Sequence, residues 1–103
     1  MISRIWHGYT TFENADKYET LLQEVIFKGI TDRISGLLSF EILRRELVDE
    51  VEFVTILWFD SLNAVKIFAG DDYETAVVPP RARELLKRFD SHCQHFNVVT
   101  KRD

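Results

Sequence analysis

The chain has 103 residues, of which 13 are Lys or Arg and 17 are Asp or Glu, so its formal net charge is −4. This length predicts one domain, residues 1–103, and the scattered basic residues argue against nucleic acid or an anionic membrane as a partner. Cys93 is the only cysteine, which excludes an intramolecular disulfide, and we expect the protein in the reducing, cytoplasmic compartment.

The hydrophobic pattern predicts the elements in chain order. Strand patterns, with side chains alternating between two faces, occur at residues 2–11, 37–45, 51–59 and 92–99. Helical spacing predicts a first helix at 15–28 after a cap at Asn14, and a second helix after a cap at Asp60 or Ser61. A short third helix is predicted after Pro79-Pro80, with the apolar residues Ala82, Leu85, Leu86 and Phe89. This order predicts an α+β fold of the ferredoxin-like split βαβ type, with a four-stranded antiparallel sheet and its helices on one face.

The predicted sheet has more apolar surface than its helices can cover. Strand 51–59 is apolar on both faces, and the two main helices cover only one of them. The other face has an area of about 350 Å² and is expected to expose parts of Ile5, Leu43, Phe53 and Leu57, or of their neighbours. A patch of that size is typical of interfaces, and a small domain gains stability by association. The sequence therefore predicts a homodimer that joins two such sheet faces.

Three segments carry a family pattern: IxRIWHGYT at 2–10, LWFDSLNAVKIFAGDD at 57–72 and HFNVV at 95–99. Through them the chain resembles the antibiotic biosynthesis monooxygenase-like family of the dimeric α+β barrel superfamily. The resemblance implies two sheets that face each other across a dimer, and a pocket between sheet and helices in each subunit. It also implies a reaction without cofactor, because characterised relatives oxidise electron-rich polycyclic phenols with O₂ and need neither metal nor flavin.

Such chemistry needs a base and an aromatic pocket. His7 is the candidate base because histidine titrates near neutral pH, although a surface position or a dimer-interface hydrogen bond explains it as well. The substrate-pocket candidates are Trp6, Phe68, Tyr73, Arg81, His95 and Asn97. Trp6 could form a pocket wall, and Arg81 or Arg83 could bind a carboxylate or phenolate unless both belong to a solvated helix face.

Two functions stay open from the sequence. The first is a cofactor-independent monooxygenase-like enzyme acting on a small aromatic or quinol substrate. The alternative is a non-catalytic dimeric module that binds a small hydrophobic molecule or is associated with stress. Heme degradation is disfavoured, because that branch of the superfamily uses an asparagine on strand one, a tryptophan on helix two and a histidine after that helix. Here the chain has Trp6-His7, Phe68 and no histidine in residues 73–80.

Metal binding and thiol catalysis are also disfavoured. His92 and His95 are three residues apart on a predicted strand, so they point to opposite faces and no metal site is expected. Cys93, His95 and Asn97 share one face, but alternate residues of one strand do not place a base against a thiol. We therefore expect no cofactor.

Overall fold

The computed structural model describes residues 1–27 and 34–102. Its strands are β1 (Ile2–Thr10), β2 (Leu37–Glu46), β3 (Val51–Phe59), β4 (Leu86–Phe89) and β5 (Gln94–Asn97). Its helices are α1 (Phe12–Leu22), which continues into a π-helical turn at Gln23–Phe27, α2 (Leu62–Ala69) and α3 (Pro80–Leu85). The predicted end of the first helix at residue 28 lies outside the described residues. Within the described part of the chain no helix is long and apolar enough to cross a bilayer, and the cytoplasmic location stays a prediction.

The strands form one antiparallel sheet in the order β2-β3-β1, and β4 and β5 both pair with the remaining edge of β1. β4 lies opposite residues 8–10 and β5 lies opposite residues 2–5. The sheet is therefore four strands wide, with two short strands sharing its last position where one long strand was predicted. This is the strand order of a ferredoxin-like α+β fold, which confirms the predicted fold class.

The predicted helix through Phe89 is wrong, because α3 ends at Leu85 and the chain continues as β4. Leu86 and Phe89 both pack against the core at the three-residue spacing that indicated a helix. In the strand this packing arises from a bulge. Phe89 lies opposite Gly8 and Leu86 lies opposite Thr10, so β4 advances three residues where β1 advances two.

Side-chain caps determine where α1 and α2 begin. The predicted cap at Asn14 is wrong: Thr11 Oγ1 accepts a hydrogen bond from the Asn14 N–H at 3.2 Å, and α1 begins at Phe12. Of the two candidates for α2, Ser61 is the cap, and its Oγ accepts a hydrogen bond from the Ala64 N–H at 3.1 Å. Both caps satisfy N–H groups that a helix start would otherwise leave unpaired.

We expect Ser61→Ala to lower the free energy of unfolding by about 1 kcal/mol, because the first turn of α2 loses its side-chain acceptor. Urea unfolding followed by far-UV circular dichroism measures this loss. Ser35→Ala, which makes the same change at an exposed turn residue, is the matched control and should change stability little. Equal losses in the two variants would contradict the capping role.

The two faces of the sheet differ in what covers them. The helices cover the buried β3 residues Val51, Phe53, Thr55, Leu57 and Phe59. The prediction that Phe53 and Leu57 lie on the exposed face is therefore wrong. Because β3 is apolar on both faces, its periodicity could not tell which face the helices would take. The uncovered face, called the open face below, carries Ile5, Leu43, Val54, Ile56 and Trp58.

Two hydrophobic clusters make up the core beneath the helices. In the first, the ring of Tyr18 from α1 packs edge-on against Phe53 with centroids 4.9 Å apart. In the second, Phe59 of β3 packs against Phe68 of α2 with centroids 5.5 Å apart. Side chains of both clusters border a cavity between the sheet and the helices.

Candidate functional site

This cavity has a volume of about 410 Å³. The sheet forms its floor through Arg4, Trp6, Thr55 and Leu57. One side is lined by α1 through Tyr18, Leu21 and Leu22, and other sides are lined by the end of α2 and by residues 76–79 and 81–82. Its volume and its mostly apolar lining are typical of sites that bind small molecules.

Arg4 places a cation in the floor of the cavity, where its side chain is almost fully buried at 6% exposure. Its Nη1 donates hydrogen bonds to the backbone carbonyl of Tyr73 and to His95 Nε2, the latter at 3.0 Å. The guanidinium carbon lies 5.7 Å from the centre of the Phe68 ring. Among the described residues no carboxylate lies within ion-pair distance of Arg4. A buried positive charge therefore borders the cavity without a counter-charge.

The groups around Arg4 are neutral near physiological pH. Burial lowers the pKa of His95, and the charge of Arg4 lowers it further. Burial raises the pKa of Cys93 against an opposing effect of Arg4, so its sulfur stays a thiol. Burial also lowers the pKa of Arg4 itself, but a guanidinium titrates so far above neutrality that it remains charged.

His95 orients Arg4 through a hydrogen bond to its guanidinium. Because a guanidinium can only donate, His95 Nε2 must accept, which puts the ring proton on Nδ1. That Nδ1 is buried and has no hydrogen-bond partner within the described residues. The ring of Tyr73 packs edge-on against the imidazole with centroids 5.1 Å apart. These contacts hold a neutral His95 in one orientation and so help to fix the guanidinium.

Trp6 is fixed beside Arg4 on the same face of β1. Its Nε1 donates a hydrogen bond to the backbone carbonyl of Asp90 at 2.7 Å, and its ring packs against Phe89 with centroids 6.0 Å apart. Gly8 makes room for the indole, because a Cβ at this position would lie 2.9 Å from the Trp6 ring. The indole is therefore held rigidly as part of the cavity wall.

The structure divides the predicted pocket residues between two neighbouring spaces. The cavity is lined by Trp6, Phe68 and Arg81. A second, more open recess is lined by Tyr73, His95 and Asn97. Cys93 borders both spaces. The hydrogen bond between Arg4 and His95 also connects them. Of the six predicted residues, Asn97 lines the recess without a contact to the guanidinium or to the cavity among those observed.

His7 lies elsewhere: it is opposite Val54 on the open face, across the sheet from the cavity. Its Nδ1 donates a hydrogen bond to Glu52 Oε2 at 3.1 Å, and the Tyr9 hydroxyl donates to the same oxygen at 3.1 Å. Arg45 Nε donates to the other carboxylate oxygen. The role of His7 as a base stays a prediction that this position does not favour, whereas its alternative as an interface hydrogen-bonding residue fits the open face.

The Glu52 carboxylate makes the stability of the fold depend on pH. Burial alone would raise the pKa of Glu52, but hydrogen bonds from Arg45, His7 and Tyr9 outweigh it and hold the pKa below its usual value. A carboxyl group with a depressed pKa stabilises the fold above its unfolded-state pKa of about 4.3. This contribution is lost as the pH falls through the folded-state value.

We therefore expect the melting temperature to fall less steeply with acidification below about pH 4.3 in Glu52→Gln than in the wild type. Thermal unfolding at a series of pH values and constant protein concentration measures this slope. Glu84→Gln changes an exposed residue of α3, away from the open face, and should retain the wild-type slope. An unchanged slope in Glu52→Gln would show that the cluster does not stabilise the carboxylate.

Sequence reasoning missed Arg4 and Thr55, which both lie on the cavity floor. A signal for Arg4 is present, because it is two residues before Trp6 and so shares its face of the strand. A charged residue on a face that must be buried is a strong indication of a site. Thr55 carries no such signal, since threonine is common in strands.

Comparison with known proteins gives structural matches only: no family model and no curated protein matches the chain. A protein provisionally assigned as an antibiotic biosynthesis monooxygenase from Bacillus cereus matches with a TM-score of 0.69 at 11% identity, covering 99% of this chain and 96% of that one. The heme-degrader MhuD from Mycobacterium tuberculosis, solved with two hemes in its active site, matches with a TM-score of 0.66 at 15% identity over 100% of both chains. A dimeric ferredoxin-like protein from an uncultured marine organism has a TM-score of 0.64 at 17% identity, covering 99% of this chain and 97% of that one.

The chain has the fold of these proteins. At such low identities the likeness establishes the fold alone, and it confirms at that level what the resemblance to the antibiotic biosynthesis monooxygenase-like family implied. The three matches extend over nearly the whole chain, so the cavity lies inside the shared fold. Its chemistry has to be argued from the residues of this chain.

Proposed function

We propose that the cavity is the active site of a cofactor-independent, monooxygenase-like protein that acts on a small aromatic or quinol substrate. The observation that carries the proposal is the cavity itself, which has a volume of about 410 Å³, a mostly apolar lining and the rings of Trp6 and Phe68 among its walls. The fold is also that of a protein provisionally assigned as an antibiotic biosynthesis monooxygenase, which supports the proposal.

In such a reaction the substrate supplies the electrons. A CH₂ group activated by flanking rings loses a proton, the resulting carbanion adds O₂, and the hydroperoxide loses water to leave a ketone, so R₂CH₂ and O₂ give R₂CO and H₂O. The protein has to exclude water and to stabilise the anion that forms. The mostly apolar lining of the cavity supports the first of these needs, because it gives a bound substrate few polar neighbours.

The described lining residues offer no strong base. All three histidines of the chain are described, and none of them borders the cavity. The described lining contains no Asp or Glu, and burial raises the pKa of both Cys93 and Tyr18. The proposed substrates are therefore compounds acidic enough to ionise without a dedicated side-chain base, such as anthrones and quinols.

The same lining favours a second candidate function. A cavity that binds an apolar molecule but has no base among its described residues suits a non-catalytic module that holds a small hydrophobic ligand. This alternative predicts that ligands stabilise the protein against heat without being converted. It differs from the first candidate in one measurable respect, which is the consumption of O₂.

Heme fits this cavity poorly. MhuD degrades heme and binds it in its active site, but heme iron is held by a His, Cys thiolate, Tyr or Met ligand. Of the described residues that border the cavity, only Cys93 and Tyr18 belong to these types. Burial raises the pKa of both groups and keeps them protonated. We propose no heme-dependent step.

We also propose that two copies of the chain join through their open faces. Leu43 is 44% exposed and Phe96 is 50% exposed, and Ile5, Val54 and Ile56 lie half-buried on the same face. A second sheet would cover these side chains and would leave the cavity, on the other side of the sheet, to each subunit. A ferredoxin-like protein of the same fold is dimeric.

Oxygen consumption by purified protein with a panel of anthrones and quinols tests the proposed reaction. With the anthrones, which carry the required CH₂ group, we expect one O₂ consumed for each ketone formed. Phe68→Leu should reduce turnover because Phe68 borders the cavity, whereas Phe12→Leu, at a 49% exposed position of α1, should not. His7→Ala should retain turnover, and a loss of turnover in this variant would restore His7 as the candidate base. Thermal stabilisation by these compounds without any turnover would contradict the enzyme and support the binding module.

A further inference from the structure

Arg4 has hydrogen-bond partners but no partner of opposite charge. Its described neighbours are a backbone carbonyl of Tyr73, the neutral imidazole of His95, the Cys93 thiol and the face of Phe68. Each of these groups offers only a partial charge to the guanidinium. Buried charges are normally paired with an opposite charge, because hydration is lost on burial. An apolar site that contains an uncompensated cation is therefore expected to bind an anion.

The geometry leaves part of the guanidinium for a ligand. Nη1 makes both of the hydrogen bonds that Arg4 forms with nitrogen and oxygen acceptors of the described residues. The Cys93 thiol is a further side-chain partner of the guanidinium, and Nε and Nη2 are the donors that the two hydrogen bonds of Nη1 leave on a side chain that borders the cavity. Two N–H groups along one edge of a guanidinium match the two oxygens of a carboxylate, or they can converge on one phenolate oxygen.

We infer that the ligand of this cavity is an aromatic oxyanion, whose negatively charged oxygen binds the Arg4 guanidinium while its rings lie between Trp6 and Phe68. This inference rests on the proposed function, because it takes the cavity as the substrate site, and it narrows the substrate class to molecules that carry a carboxylate or a phenolate. Arg4 is buried and the lining around it is mostly apolar, so the charge–charge attraction is screened less than at the surface.

Selection between an acid and its neutral analogue tests this inference in the wild-type protein. Naphthalene-2-carboxylate and naphthalene-2-carboxamide have nearly the same shape and differ in charge. Isothermal titration calorimetry near neutral pH should give a dissociation constant about 10- to 100-fold lower for the carboxylate, the range of a charge-assisted hydrogen bond. Equal affinities would overturn the inference and leave the proposed site intact. No binding of either compound would contradict the proposed site itself, and with it the inference.

Binding of a phenol tests whether the site accepts phenolates as well as carboxylates. If the site takes up 2-naphthol as the phenolate, the proton is released to the buffer on binding, and the measured heat changes with the ionisation enthalpy of the buffer. Proton release would assign the site to phenolates as well as carboxylates. Binding of the carboxylate without proton release by 2-naphthol would restrict it to carboxylates.

Variants of Arg4 test whether the preference for the carboxylate over the carboxamide comes from the charge of this residue. Arg4→Met should remove the preference for the carboxylate while retaining binding of the carboxamide, and Arg4→Lys should keep part of the preference because it keeps the charge but loses the two-donor edge. Arg102→Met, at an exposed position, is the matched control for the change in net charge and should behave as the wild type. Full selectivity in a folded Arg4→Met protein would overturn the assignment. If that variant does not fold, the comparison of acid and amide in the wild type still decides.

Discussion

Thr55→Phe is expected to abolish ligand binding while the protein stays folded. Thr55 lies on the cavity floor, opposite Trp6 in the pairing of β3 with β1, and is 7% exposed. A phenyl ring at this position occupies space that a bound ligand needs. Affinity should fall by at least about a hundredfold, or about 2.8 kcal/mol. Because the added ring enters a cavity rather than a packed core, little of the usual cost of overpacking is expected.

Titration calorimetry with naphthalene-2-carboxylate measures this loss, and far-UV circular dichroism with a thermal melt shows whether the variant is folded. The matched control is Thr20→Phe, which makes the same change at an exposed position of α1 and should bind as the wild type does. Wild-type affinity in a folded Thr55→Phe protein would mean that ligands bind outside this cavity.

Ile56→Asp is expected to convert the proposed dimer into a monomer. Ile56 lies at the middle of the open face, between Ile5 of β1 and Glu41 of β2. A carboxylate here would be buried without a partner, beside an acidic neighbour, when two open faces meet. Unpaired buried charges cost about 3–5 kcal/mol, and two-fold symmetry places the change in both subunits. The dimer dissociation constant should therefore rise by more than about a hundredfold.

Sedimentation velocity over a range of protein concentrations measures this change. Ile67→Asp makes the same substitution at a 69% exposed position of α2, away from the open face, and should leave the dimer intact. Dissociation in both variants would indicate a general loss of structure. A dimer that persists in a folded Ile56→Asp protein would exclude the open face as the interface.

The sequence predicts best where one local signal has one structural explanation. The bounds of β3 match the prediction because a mostly apolar run lies between polar turns. The start of α2 was predicted to within one residue, because Asp60 and Ser61 both fit a cap, and the structure selects Ser61. These elements, in this order, were sufficient to predict the ferredoxin-like topology.

Prediction fails where the same pattern fits two arrangements. Leu86 and Phe89 have helical spacing, yet a bulge in β4 places both on one face of a strand. Phe53 and Leu57 share a face, but only the packing of the helices shows that this face is covered. Both failures concern tertiary contacts, which a periodic pattern does not contain.

The site was predictable in part. Trp6, Phe68 and Arg81 border the cavity, and Tyr73, His95 and Asn97 border the adjoining recess. The candidate base His7 lies across the sheet, because its neighbour Trp6 takes the cavity-facing position and successive strand residues alternate. Arg4 escaped notice because a basic residue near a chain end usually lies in solvent, whereas here two hydrogen bonds and a ring hold it under the helices.

The indole signals of the two tryptophans provide the most direct test that this cavity binds an aromatic oxyanion. Trp6 borders the cavity, and Trp58 lies on the open face. In ¹H–¹⁵N correlation spectra of the wild type, with the signals assigned through Trp58→Phe, naphthalene-2-carboxylate should shift the Trp6 indole resonance and leave that of Trp58 in place. The neutral carboxamide should shift the Trp6 signal only at much higher concentration. A shift of Trp58 alone, or equal effects of acid and amide on Trp6, would contradict the account.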